Sequence, residues 1–223
     1  MSPQADYVRE AGRARQVIDA VERILPANRA LPDQVFEPSY ACFAFFDYAV
    51  LQNAACWLEL LDYASSATLV SLSPSAEDIL ARSGGERYGI VQLGPRVEAT
   101  ELAATLSTSP TENPADAFVF GCMRCVVVVE SGGCAIFGDR YWDLAVAAFR
   151  SQASRARFRD FTRSWPYMAV GDAAERVTFQ SALNDRSSFV AALKANYPNA
   201  TPFLSAAADR ESGDAGDFPI WRR

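Results

Sequence analysis

Apolar positions are densest between Phe118 and Phe149, and this stretch predicts the centre of the fold. Two runs of β-branched and aromatic residues, 118–129 and 134–138, are separated by Gly132-Gly133, which is the pattern of a β-hairpin. Four consecutive valines are too apolar for a strand with one wet face, so we expect this hairpin mid-sheet and covered on both sides. A third run, 141–149, alternates in the same way. The pattern therefore predicts a three-stranded meander over about 118–149.

Helical and extended patterns alternate on both sides of the meander. Apolar stripes of helical period predict helices over 7–25, after Asn53, from Gly94-Pro95, over 151–165, and from Asn184 or Asp185 to Asn196. Compact apolar runs predict strands over 67–73 and 87–93. This order predicts class α+β, with a mostly antiparallel sheet and helices packed on it.

The aromatic-rich stretch 40–51 fits two structures. Residues 40–47 favour a strand, but 43–51 could equally be a buried helix, because periodicity does not decide between the two. We favour a strand that breaks near Asn53, which would then cap the following helix.

The chain carries one apolar core, which predicts a single domain over 1–204. Residues 205–217 have nothing to bury and predict a flexible tail over 205–223. The last six residues, 218–223, are apolar for a free end and could dock on the domain or on a partner.

The composition of the chain limits which kinds of partner and which cellular compartment we expect. The 223-residue chain has a formal charge of -6, which argues against nucleic acid because phosphate binding needs clustered Lys and Arg. Lys194 is the one lysine, and this arginine and alanine usage is typical of a GC-rich, bacterial genome. The sequence shows no signal peptide and no apolar stretch of about 20 residues, so we expect a cytoplasmic protein with no membrane partner.

The chain contains no histidine, which removes the commonest general base and the commonest metal ligand. A Ser-His-Asp triad, a Cys-His dyad and a histidine-ligated zinc are therefore impossible. We expect no cofactor and assign no metal ligand.

Cys122 and Cys125 have the spacing of redox and zinc motifs. If both lie in one strand, residues three apart point to opposite faces and cannot share a metal or a disulfide without a bend. Gly121 could supply that bend, and Cys134 across the hairpin could be a third ligand. We favour buried structural thiols.

Carboxylates are the remaining acid–base candidates, and those beside apolar runs could have raised pKa values: Asp47, Asp62, Asp139 and Asp143. Asp139 and Arg140 sit between the hairpin and the third strand. They predict a turn with a local ion pair, and we include both as candidate partner-binding residues.

Five arginines and one aspartate lie between positions 150 and 163 of this acidic chain. On a helix, Arg155, Arg159 and Arg163 would fall on one line, where like charges cost about 0.2–0.5 kcal/mol per pair. Pairing with carboxylates elsewhere would compensate this cost. The alternatives are a surface for an acidic protein partner, or contact with phosphate or RNA.

The profile predicts a non-catalytic protein-binding module. Bacterial immunity proteins and similar inhibitors, which neutralise a partner by covering its site, share this profile. The first alternative is a histidine-free enzyme that uses a buried carboxylate or Cys122 and Cys125. The second is a small-molecule sensor with a cavity lined by aromatic side chains: Phe43, Phe45, Phe46 and Trp57. Oligomeric state is not predicted.

Overall fold

A computed structural model describes residues 5–26, 29–129, 133–176, 186–198 and 200, which form one α+β unit around a single antiparallel sheet. The strands are β1 (Ala5–Tyr7), β2 (Cys42–Asp47), β3 (Ala67–Ser73), β4 (Ile90–Leu93), β5 (Arg124–Val129), β6 (Cys134–Asp139), β7 (Leu144–Phe149) and β8 (Tyr167–Met168). The helices are α1 (Ala11–Ile24), α2 (Ala54–Ala64), α3 (Ala76–Arg82), α4 (Ala99–Ser107), α5 (Phe118–Gly121), α6 (Gln152–Phe161), α7 (Val170–Arg176) and α8 (Arg186–Asn196).

The predicted meander lies in the middle of the sheet. The strand order is β1-β4-β3-β5-β6-β7-β2-β8, and every pair is antiparallel. β5 and β6 pair from Arg124 with Asp139 to Val129 with Cys134, and β6 pairs with β7 over the same six positions. The prediction of a mostly antiparallel α+β sheet built on a meander is therefore confirmed.

Both faces of the meander are buried, as the valine run predicts. Val127 belongs to one apolar cluster, which also contains Trp57 of α2, Leu102 of α4 and Phe158 of α6. The opposite face divides into two clusters. Phe137 and its neighbours pack with α7 and α8, and Val126 packs with α1 and α3. Helices on both sides therefore exclude water from the central strands.

The predicted bounds of the meander are too wide at two points. Residues 118–121 form the single helical turn α5, with the Gly121 amide donating to the Ala117 carbonyl at 2.8 Å, so the first strand begins only at Arg124. Gly121 fits because a Cβ there would lie 2.1 Å from the Ala115 carbonyl oxygen. The third strand begins at Leu144, because residues 140–142 form a 3₁₀ turn.

The stretch 43–51 contains both predicted structures in succession. The strand β2 runs to Asp47, and a 3₁₀ turn follows over Tyr48–Gln52. The Asn53 side chain accepts a hydrogen bond from the Ala55 amide, so the predicted cap of α2 is confirmed.

Other predicted elements need correction. β1 and α3 are not in the prediction, since each is short and carries little periodicity. The helix predicted over 7–25 spans Ala11–Ile24, and the strand predicted over 87–93 spans only Ile90–Leu93. α4 begins at Ala99 rather than at Gly94-Pro95. The predicted cap at Asn184 or Asp185 and the predicted tail over 205–223 lie outside the described residues.

Gly138 in the middle of the meander provides a test of this packing. A Cβ at Gly138 would lie 2.6 Å from Leu51 Cδ1, 2.9 Å from Tyr48 Cε2 and 3.0 Å from Cys125 Sγ. We expect Gly138→Ala to lower the free energy of unfolding by about 1–3 kcal/mol, because overpacking a close-packed core displaces its side chains. Denaturant unfolding measures the change.

Gly12 on the exposed side of α1 is the matched control, since a Cβ there meets nothing within 4 Å. Gly12→Ala should be neutral or stabilising by up to about 1 kcal/mol, because alanine favours the helix. Equal effects of the two substitutions would contradict the packing at Gly138.

Candidate functional site

Exposed apolar side chains are concentrated at the end of the meander where β5 begins and β6 ends. Phe120, Met123 and Tyr141 are 63%, 40% and 56% exposed. Large exposed apolar side chains that lie together indicate an interaction surface, whereas scattered ones need no explanation. We call Phe120, Met123, Arg140, Tyr141 and Trp142 the meander-end patch.

Arg140 ties the meander-end patch together through the backbone. Its guanidinium Nη1 donates to the carbonyls of Phe120 at 2.8 Å and Val119 at 3.2 Å. Its own amide donates to the Met123 carbonyl at 2.8 Å, and the Met123 amide donates to the Ser73 carbonyl at 3.0 Å. These bonds attach α5 and the 3₁₀ turn to the sheet, so the exposed side chains stand on a fixed backbone.

Aromatic contacts fix the other side of the meander-end patch. The rings of Tyr141 and Trp142 meet edge to face with centroids 5.1 Å apart. Trp142 in turn packs on Phe189 of α8, with centroids 4.2 Å apart. Trp142 is therefore half-buried, and Tyr141 stands out from it into solvent.

Asp139 is buried beneath the meander-end patch and has an unusual pKa. Its side chain accepts a hydrogen bond from the Tyr141 amide at 3.1 Å, which confirms the predicted turn. Burial raises the pKa of Asp139 to about 6, while the charge of Arg124 on the neighbouring strand opposes this shift. Because the Arg140 guanidinium is directed at carbonyls of residues 119 and 120, the predicted ion pair between Asp139 and Arg140 is wrong.

The prediction that Cys122 and Cys125 face apart is also wrong. The strand begins at Arg124, so Cys122 precedes it and turns back into the same apolar cluster as Cys125. Both thiols are free and buried, and the Cys122 thiol lies 3.6 Å from the Ser71 hydroxyl. Cys134 pairs with Val129 at the other end of the hairpin, so it does not join them.

Hydrogen bonding gives these two thiols different acidities. Burial opposes the thiolate of Cys122, but hydrogen bonds from Cys125 and Ser71 outweigh it, and the pKa of Cys122 is lowered. The pKa of Cys125 is raised, chiefly by its hydrogen bond to Cys122 and by burial. Burial also raises the pKa of Tyr48, whose hydroxyl donates to the Cys122 carbonyl at 2.8 Å.

The predicted row of arginines does not form. α6 ends at Phe161, so Arg163 lies beyond the helix, exposed and 3.9 Å from the Asp160 carboxylate. Arg155 is buried, with Nη1 donating to the Gln152 side chain at 3.3 Å. Burial lowers the pKa of Arg155. Arg159 is half-buried, so the three side chains differ in exposure and share no exposed line.

Local partners compensate part of the arginine charge, as the first interpretation of the cluster predicts. The Arg150 guanidinium lies 3.6 Å from the Glu37 carboxylate and 5.4 Å from the centre of the Tyr40 ring. Arg157 stacks over Tyr63 of α2 at 5.3 Å. These contacts attach α6, and Arg150 just before it, to the rest of the domain.

The aromatic side chains predicted as a sensor cavity fill the core. Phe43 and Phe45 pack edge-on against Tyr197, with centroids 5.0 and 5.2 Å away. Phe46 lies on the opposite face, 4.8 Å from Trp165. Trp57 donates its indole N–H to the Leu51 carbonyl at 2.9 Å. The four residues therefore do not line one cavity.

A wide groove of about 770 Å³ runs between β1, β4 and the start of α1. Its charges are balanced. Arg9 lies 3.6 Å from Asp6, and the Arg13 guanidinium donates twice to the Gln92 side-chain oxygen at 2.7 Å when that amide is oriented to receive it. The groove therefore shows no preference for a ligand of either charge.

The remaining carboxylate candidates differ in their surroundings. Asp47 accepts a hydrogen bond from the Ala49 amide, and Asp62 is exposed on α2. The pKa of Asp143 is raised by burial and by the neighbouring Asp47. Within the described ranges, no three His, Cys, Asp or Glu side chains gather so that they could hold a metal ion. No helix of the described residues is long and apolar enough to cross a membrane.

Comparisons with protein-family models, with curated proteins and with solved structures found no match to this chain.

The buried carboxyl of Asp139 predicts a pH dependence of stability. The folded protein keeps this proton up to about pH 6, whereas the unfolded chain releases it near about pH 4. The contribution of Asp139 to stability is therefore complete below pH 4 and is lost as the pH rises to 6. Relative to that of the wild type, the free energy of unfolding of Asp139→Asn should rise by up to about 2–3 kcal/mol between pH 4 and pH 7.

Chemical denaturation at several pH values measures this difference, and Asp160→Asn on the exposed face of α6 is the control for removing one carboxylate. A constant difference between Asp139→Asn and the wild type across this pH range would contradict the raised pKa.

Proposed function

We propose that this protein is a non-catalytic binding module that docks a protein partner on the meander-end patch. The observation that carries this proposal is the exposure of Phe120, Met123 and Tyr141 on a backbone held by Arg140. Aromatic residues, methionine and arginine are the residues enriched where proteins meet.

A fixed backbone favours affinity as well as recognition. Binding costs less when the contact residues do not have to be ordered on association. The hydrogen bonds of Arg140 to residues 120 and 123 attach α5 to the sheet before any partner arrives. Tyr141 and Phe120 are thus the expected anchors, since hot spots are enriched in large side chains that become fully desolvated.

The charge of the chain adds specificity to this contact. A net charge of -6 favours a basic partner and raises its rate of encounter at low salt. We propose further that the protein acts as an inhibitor that covers the functional site of its partner, as immunity proteins do. We also propose that the protein lies in the cytoplasm, where the five free thiols stay reduced.

One observation favours a histidine-free enzyme as the second candidate. Asp139 and Asp143, four residues apart at the same end of the meander, both have raised pKa values. Carboxyl groups of this kind can act as general acids near neutral pH. In that case Asp139→Asn would abolish turnover of a substrate and leave partner binding intact.

The test begins with tagged protein as bait in native lysate, at low and then moderate salt. A stoichiometric partner is purified, and its affinity is measured by calorimetry for each variant. We expect Phe120→Ala with Tyr141→Ala to weaken binding by about 30-fold or more, because two anchors are lost. The folded state should persist, since both side chains are exposed.

Phe161→Ala is the matched control, because Phe161 is an exposed phenylalanine (41%) on α6 rather than on the meander-end patch. Its affinity should stay within about 3-fold of the wild type. The alternative surface is tested by Arg159→Glu, which should also leave affinity unchanged. Capture of no stoichiometric partner by the tagged protein would contradict the proposal. So would a partner whose affinity depends on Arg159 and not on Phe120 and Tyr141.

A further inference from the structure

The thiols of Cys122 and Cys125 meet at one point beneath the meander-end patch. Ser71 of β3 lies directly opposite Cys125 of β5, and facing residues of an antiparallel pair have Cβ atoms about 4.5–5.5 Å apart. The Cys122 thiol lies 3.6 Å from the hydroxyl of the same Ser71. The interaction of each thiol with the other contributes to the pKa shifts of both, which is consistent with their being neighbours.

An irregularity of the sheet lies beside this pair. Ser71 pairs with Cys125, but the next pair along β5 joins Arg124 to Ser73, so Leu72 is an extra residue on β3. Cys122 precedes the strand, and its thiol donates to the Arg124 carbonyl at 3.1 Å. Bulges of this kind re-aim side chains and are over-represented beside functional sites.

We propose that Cys122 and Cys125 are an oxidisable dithiol, which a hydroperoxide converts to an intramolecular disulfide that loosens the meander-end patch. The disulfide is independent of the proposed function. Only its effect on partner binding rests on that function.

A small cavity lies beside Cys125, so an oxidant that enters there must still pass to the neighbouring Cys122. About 10 Å³ of space borders Cys125 and is lined by Tyr48, Gln52, Phe118 and Val119. This is about the room that one water molecule occupies, and hydrogen peroxide is only one oxygen atom larger. Entry requires α5 to move aside. Because α5 is a single turn, we expect oxidation that is slow but occurs without global unfolding.

We assign Cys122 as the nucleophile, because the Ser71 hydroxyl lies 3.6 Å from its sulfur and can stabilise the thiolate. The Cys122 sulfur attacks one peroxide oxygen, an S–O bond forms, the O–O bond breaks, and the leaving hydroxide takes the thiol proton to give water. The Cys125 sulfur then attacks the sulfenic acid and loses its own proton. The S–S bond forms, the S–O bond breaks, and a second water leaves. Two thiols are oxidised by two electrons, which reduce the peroxide.

The disulfide would act on Met123, which lies between the two cysteines. Met123 is held by two backbone hydrogen bonds, from its amide to Ser73 and from the Arg140 amide to its carbonyl. A disulfide fixes the separation of its two Cα atoms, usually at about 4.4–6.8 Å. We expect the 122–125 segment to adjust to this length when the disulfide forms, which would displace Met123 and strain both hydrogen bonds.

The experiment treats the reduced full chain with hydrogen peroxide at neutral pH, alkylates the remaining thiols after denaturation, and measures intact and peptide masses. We expect the wild type to lose the mass of two hydrogen atoms, with Cys122 and Cys125 protected from alkylation. Dithiothreitol should reverse the change. Alkylation of both cysteines after peroxide treatment would overturn the dithiol.

Two variants test the order of attack. Cys125→Ser should stop at a sulfenic acid on Cys122 that dimedone traps, whereas Cys122→Ser should leave Cys125 unoxidised. Cys134→Ser is the control, since Cys134 is buried at the other end of the hairpin and its loss should not change disulfide formation. If Cys122→Ser or Cys125→Ser forms a disulfide with another cysteine, the assignment of this pair is wrong.

Hydrogen exchange of the Met123 and Arg140 amides measures the effect of oxidation on the meander-end patch in the absence of a partner. Oxidation should speed exchange at both by about 10-fold or more, since each would lose its acceptor geometry. Unchanged exchange in the oxidised protein would overturn the link to the patch. This readout does not depend on partner binding, so its result is separate from that of the proposed function.

Discussion

Exclusion of water from both faces of the central strands is the constraint on which the rest of the structure depends. Val126 faces one side and Val127 the other, and helices cover each side with apolar residues. Most described side chains of the central strands are buried, so these faces offer little for a partner or a substrate to contact. Polar groups and exposed aromatic rings can therefore be displayed mainly where the strands end, because there the chain turns and meets solvent.

One end of the meander shows the effect of this constraint most clearly. Gly138 lets β6 pass within contact of Tyr48 and Leu51, which leaves room for the Cys125 thiol but for no further side chain. Asp139 follows at the strand end, buried with a raised pKa, and Tyr141 projects from the turn that Asp139 caps. Successive residues of β6 and of the turn after it thus provide first the tight packing inside and then the exposed aromatic surface outside.

Long apolar patterns were predictable from the sequence, whereas local turns that depend on tertiary contacts were not. The valine run predicts the meander and its two-sided burial correctly. The single turn α5 is missed because Phe118 and Val119 have strand-like propensity, and only the close approach of Ala115 to Gly121 shows why they bend. Periodicity alone could not show that Cys122 lies outside the strand, nor that α6 ends before Arg163.

Hydroxyl-radical footprinting of the free protein tests the central claim, which is that apolar exposure is concentrated at the strand ends. After correction for intrinsic reactivity, Phe120, Met123 and Tyr141 should be modified rapidly, while Phe45 and Phe137 should be protected because they are about 1% exposed. Protection of Phe120 and Tyr141 equal to that of Phe45 would contradict the account. So would rapid modification of Phe137, because a face of the meander would then be open to water.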